Sequence, residues 1–145
     1  MNIPSKIRLA ILLLILPGLA VASPIDAPRK AVDAFGAALI AGDADQLRSV
    51  FPGQGKVRVH LVSLGPEQGA LRGSQLHAVL QDFLERGNVT AFKIRTVERS
   101  EHQALASVDV ALIDPDGARA RVRLHLSLEP EDDRWVLREM RESSP

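Results

Sequence analysis

Residues 118–128, ARARVRLHLSL, alternate apolar and polar side chains without a break: Ala120, Val122, Leu124, Leu126 and Leu128 on one side, Arg119, Arg121, Arg123, His125 and Ser127 on the other. Successive side chains of a strand point to opposite faces, so this period of two specifies a sheet with one buried and one wet face. Such a sheet needs a cover. Upstream, Leu76, Val79, Leu80, Phe83 and Leu84 fall at i, i+3, i+4, i+7 and i+8 and predict an amphipathic helix. The loop GPEQGALRG leads into it, Ser74 is the expected N-cap, and Gly87-Asn88 ends it. Its polar face, His77, Gln81 and Asp82, reads as solvent-facing.

The rest of the chain fits around these two elements. RKAVDAFGAALIAGD, from Arg29, predicts a first helix with Val32, Phe35 and Leu39 inward. Asp43, with Gln46 three residues on, opens a second whose apolar contacts are Leu47, Val50 and Phe51. Lys56 to Leu64 alternates as a half-buried strand. After the amphipathic helix come strands over 89–99 and 105–113, the turn Asp114-Pro115-Asp116-Gly117, the strand 118–128, a polar turn at 129–133 and a last strand over 134–141. Trp135 and Leu137, or Val136 and Met140, face inward on that last strand. The order is ααβαββββ, an α+β chain with its helices to one side of a curved antiparallel meander.

With AVDAFGAALIAGDADQL, KVRVHL, SQLHAVLQDFL, the Phe92-Lys93-Ile94 strand and RWVLREMR in this order, the chain resembles the nuclear-transport-factor-2-like (cystatin-like, SnoaL-like) cone. Within that superfamily it is similar to a bacterial domain-of-unknown-function family of exported proteins. The resemblance covers residues 28–142. It implies a bent antiparallel sheet around an N-terminal helix, with a pocket at the open end. Enzymes of the fold, of the ketosteroid isomerase and dehydratase types, place a carboxylate or His base in that pocket beside a Tyr or acidic donor. This chain has no Tyr.

The N-terminus reads as an export signal. Lys6 and Arg8 precede an apolar run from Leu9 to Leu16, a break at Pro17-Gly18, and Ala20-Val21-Ala22, which places cleavage between Ala22 and Ser23. The run is shorter than the ~20 residues a spanning helix needs, so no membrane span is expected after its removal. Residues 1–22 are thus the signal, 23–28 a leader, 29–142 one domain and 143–145 a tail. The destination is the periplasm or the exterior. No Cys follows the signal or occurs anywhere, so neither a lipid anchor nor a disulfide is available. Loss of Lys6 and Arg8 leaves 16 basic against 18 acidic residues, a net of −2, which argues against nucleic acid as a partner.

No catalytic or metal signature stands out. His60, His77, His102 and His125 show neither H-x-H nor H-E-x-x-H spacing, and no metal or other cofactor is implied. Asp82 and Asp109 lie on polar faces, and Ser63, Ser107, His60 and Asp109 have no nucleophile-elbow context. Asn88-Val89-Thr90 matches a glycosylation sequon, read as chance in a bacterial-looking chain. The chemistry that remains is the ladder Arg119, Arg121, Arg123 and His125, flanked by Lys93 and Arg95. Guanidinium groups bind carboxylates and phosphates bidentately, so the ladder could take an anion, a lipid head group or an acidic partner. The bland reading is a solvated strand face paired across to Glu98, Asp109 or Glu139. The leading expectation is an exported non-enzymatic domain that binds a small ligand or a protein, with a homodimer through the sheet as one form; the alternative is a small periplasmic enzyme using the cone pocket for acid/base chemistry.

Overall fold

A computed structural model describes residues 26–145. The signal segment, its cleavage site at Ala22 and Ser23, and the start of the leader lie outside the described residues. Helix α1 (Asp26–Ala41) begins three residues before the expected start at Arg29. A 3-10 helix (Ala44–Val50) follows, then strands β1 (Lys56–His60) and β2 (Gln68–Arg72), helix α2 (Gly73–Arg86), and strands β3 (Asn88–Arg99), β4 (Ala104–Ile113), β5 (Arg119–Glu131) and β6 (Arg134–Ser143). The six strands form one sheet in the order β2-β1-β6-β5-β4-β3. β1 lies parallel to β6, while every other neighbouring pair is antiparallel.

This is the expected α+β cone, with one strand added and one helix changed in kind. The sequence predicts a loop over 68–72, whereas these residues pair with β1 from Lys56↔Arg72 to His60↔Gln68. QGALR leaves all but Leu71 exposed, so no alternation marks it. The second helix is capped as read, since the Asp43 carboxylate accepts from the N–H groups of Asp45 and Gln46 at 3.1 and 3.3 Å. It stays a 3-10 turn of seven residues. Ser74 lies inside α2 instead of capping it; Arg72 takes the cap position, and the Gln75 side chain accepts from the Arg72 N–H at 2.8 Å.

The Asp114–Gly117 turn closes as its residues dictate. Gly117 holds φ +85°, and the Asp114 carboxylate accepts from the N–H groups of Asp116 and Ala118, both at 2.9 Å. That turn sets the β4–β5 register at Ile113↔Arg119 through Ala104↔Leu128. β5 runs three residues beyond the expected end, and β6 continues past Arg141 to Ser143. A register shift between Ser127 and Leu128 explains the last strand: Leu128 faces Leu137 while Ser127 faces Glu139, so Arg138 is the extra residue. Trp135, Leu137 and Met140 consequently share the core face, where strict alternation pairs Met140 with Val136 instead; Val136 is buried as well, but outside that apolar cluster.

The core lies between the helices and one face of this sheet. Val32, Phe35 and Leu39 of α1, Leu76, Leu80 and Phe83 of α2, and Val108, Val110, Leu112, Leu124, Leu126 and Leu128 of the sheet belong to one apolar cluster. β3 is bent by register shifts at Val89/Ala91 and Ile94/Thr96, and α1 packs against it through an edge-to-face contact of Phe35 with Phe92, centroids 6.0 Å apart. Gly36 makes this approach feasible: a methyl group there would overlap the Phe92 ring.

Candidate functional site

The interior of the cone is apolar. Among the described residues the buried polar or charged side chains are His77 and Ser127, and no buried side-chain nitrogen or oxygen lacks a hydrogen-bond partner. Neither sits where a base could reach a substrate inside the cone. His77, expected to face solvent, is only 7% exposed, because it follows Leu76 into the seam between α2 and the 3-10 helix. There its Nε2 meets the Asp45 carboxylate at 3.1 Å. Asp45 itself is 80% exposed, so the pair closes a surface seam. His60, Gln81 and Asp82 are exposed as read, and Asp82 pairs with Arg86 one helical turn away.

Polar chemistry collects on the opposite, outer face of the sheet. The register aligns Arg121 of β5 with Ala111 of β4, Arg123 with Asp109, His125 with Ser107, and Ser127 with Leu105. On the other flank, Ser143, Arg141 and Glu139 of β6 stand opposite Arg123, His125 and Ser127. The ladder Arg119, Arg121, Arg123 and His125 is therefore one row of a two-dimensional array.

That row divides into two halves. Arg123 donates from Nε to the Asp109 carboxylate at 2.8 Å, and Arg95 approaches the second Asp109 oxygen at 3.6 Å. The hydrogen bond from Arg123 holds the Asp109 carboxyl below its ordinary value and raises the Arg123 guanidinium in return. His125 meets the Ser143 hydroxyl at 3.1 Å. Arg119 and Arg121, by contrast, form no hydrogen bond or ion pair with any described residue. The bland reading of paired surface charge holds for half the ladder only.

Two recesses flank this array. One, of about 460 Å³, opens at the end of the sheet beside Thr90, Ala111, Ile113, Arg119 and Arg121. The other, of about 260 Å³, lies at the opposite end and includes Glu98, Gln103, Leu105, His125, Glu139 and Arg141. Leu105 is 50% exposed there. Gln103 donates to Ser127 at 2.8 Å, and Glu139 pairs with Arg58 at 2.8 Å. Glu98 and Arg141 have no partner among the described residues. The sequence reading missed this second recess, because Leu105 begins its strand as part of an ordinary apolar run.

A separate network staples the β5–β6 turn to the loop before β1. Glu131 accepts from the Gly53 N–H at 2.8 Å, from Arg134 at 3.3 Å and from Arg138 at 3.1 Å. The Gly53 bond above all, with the two guanidinium charges, holds the Glu131 carboxyl below its ordinary 4.5. Asp109 is likewise held below 3.8. A depressed native pKa adds stability that is complete above the ordinary value and is lost as pH falls through the lowered one. A variant carrying both Glu131→Gln and Asp109→Asn should therefore be less stable than wild type at pH 7, and the gap should close as pH falls from about 5 to about 2. Thermal melts across that range measure it; a gap independent of pH would refute the assignment.

No protein-family model matches the sequence, and no curated protein is similar to it. Solved structures are similar in three dimensions. An NTF2-like protein of unknown function from Shewanella oneidensis superposes with a TM-score of 0.63 at 18% identity, covering 84% of this chain and 100% of that one. A proposed dehydratase of the NTF2-like family from Streptomyces avermitilis gives 0.66 at 15%, over 85% and 99% of the two chains. A DUF4783 family protein from Bacteroides ovatus gives 0.57 at 12%, over 77% and 93%. The helices on one face of the bent sheet, the strand order and these superpositions agree: the chain has the NTF2-like cone fold.

Proposed function

We propose that this chain is an exported, non-catalytic binding domain that pairs with a second copy through the outer face of its sheet. The observation that carries the reading is the recess around Leu105, where an exposed apolar side chain sits beside one unpaired carboxylate, Glu98, and one unpaired guanidinium, Arg141. A two-fold contact brings the same patch of each copy together, so a patch must complement itself. One that holds an apolar centre and a free charge of each sign does so. The basic start, apolar run and Ala-Val-Ala of residues 1–22 support export, and no described helix is long and apolar enough to cross a membrane. Acid/base chemistry in the cone has less support, since His60 and Asp82 are exposed, His77 is turned to Asp45, and apolar side chains fill the space between helices and sheet.

The exported protein, whose N-terminal residue on sequencing is expected to be Ser23, should sediment as a dimer at about 100 µM, and Leu105→Glu should make it a monomer without lowering its melting temperature. Glu98→Arg alone should weaken the dimer, and adding Arg141→Glu should restore it. A wild-type monomer at that concentration would end the reading.

A further inference from the structure

The other end of the outer face carries a second kind of site. Arg119 and Arg121 are two residues apart on β5, which sets their Cα atoms roughly 7 Å apart with both side chains on the same face. Like charges this close repel one another, and a bound anion would relieve that repulsion. The carboxylate that could have neutralised the row, Asp109, is instead engaged by Arg123 and Arg95. Pairs of guanidinium groups without an internal acceptor match the planar, two-oxygen geometry of a carboxylate. The adjoining wall is apolar: Ala111 and Ile113 of β4 stand directly across from Arg121 and Arg119 in the register. Thr90, whose hydroxyl donates to the Ala111 carbonyl at 3.2 Å, closes the β3 side. The recess, about 460 Å³, is large enough for a small organic molecule.

We propose that this recess binds an organic monocarboxylate with a short apolar body, its head held between Arg119 and Arg121 and its chain laid over Ala111 and Ile113. The apolar wall separates such a ligand from inorganic phosphate, which the same two guanidinium groups would accept but which would leave Ile113 unused. This site is independent of the self-association proposed above. It lies at the opposite end of the sheet from Leu105, and loss of one leaves the other measurable.

Octanoate and inorganic phosphate are the probes, each titrated into the purified protein with backbone amide NMR shifts as the readout. Octanoate is expected to bind saturably, with the largest shifts at Thr90, Ala111, Ile113 and Ala120, and more than about tenfold tighter than phosphate. The double variant Arg119→Gln, Arg121→Gln should weaken octanoate by about tenfold or more while its melting temperature stays at the wild-type value, both residues being exposed. Ile113→Ser should weaken octanoate and leave phosphate unchanged. The Leu105→Glu variant should bind octanoate as wild type does, which keeps a failed dimer distinct from a failed ligand site. Phosphate binding as tightly as octanoate would overturn the carboxylate assignment. Octanoate shifts that persist in the double arginine variant, or that map elsewhere, would overturn the site.

Discussion

Replacing Phe35 with alanine is expected to lower the unfolding free energy by about 3–5 kcal/mol, the upper range for truncating a single buried side chain. Phe35 is 1% exposed and stands edge-on to Phe92, so the change removes both a buried ring and an aromatic pair. The site cannot easily collapse around the missing ring. On one side α1 is already seated so closely that Gly36 touches the Phe92 ring. On the other, β3 is an edge strand whose inward residues Phe92, Ile94 and Val97 are only partly buried. A domain of this size has a total stability on the order of 5–15 kcal/mol, so the loss would take from about a fifth of it to nearly all of it. Urea titration at constant m-value measures the change. A loss under about 1 kcal/mol would show that α1 rests on the sheet without locking β3.

The same seam shows how much of this molecule can be read from its sequence. The stripe Val32, Phe35, Leu39 and the alternation of 118–128 each follow one periodicity, and both landed in the core on the faces they specify. What escaped depended on neighbours that no periodicity encodes. β2 exists because β1 offers it an edge; of its own residues, which include Gly69 and Ala70, only Leu71 is even partly buried. His77 is buried because the 3-10 helix crosses α2 at that point, although its position beside Leu76 also suits a wet face. The division of the arginine ladder lies between these cases. The Asp114–Gly117 turn was legible, and counting outward from it pairs Ile113 with Arg119 and then Asp109 with Arg123. The register alone could thus have singled out Arg119 and Arg121 as the unpartnered members. The recess beside them could not be foreseen, because Thr90, which lines it, sits at the β3 register shift between Val89 and Ala91, which no periodicity encodes.

The end of the sheet formed by β1 and β2 hangs on a short parallel seam, which makes Glu142 the second residue whose loss should be large. β1 and β6 register only from Arg58↔Glu139 to His60↔Arg141. The Arg58–Glu139 ion pair crosses this seam on the wet face, but Arg58 is 78% exposed, and such pairs contribute little in water. Glu142 does more. One of its carboxylate oxygens accepts from the N–H groups of Val62 at 3.0 Å and Ser63 at 2.9 Å, and the other accepts from Ser63 at 3.0 Å. The turn between β1 and β2 is thereby tied to the end of β6. Glu142→Leu strands these donors, and a part-buried N–H left unpaired costs about 1–3 kcal/mol. Glu142→Gln keeps one acceptor oxygen and should cost less than half as much. Hydrogen exchange separates local loosening from global loss: amides of residues 56–72 should exchange faster in Glu142→Leu, while those of β4 and β5 change only with the global stability. Unaltered protection of residues 62–64 would mean that the parallel pairing alone holds β1 and β2 in place.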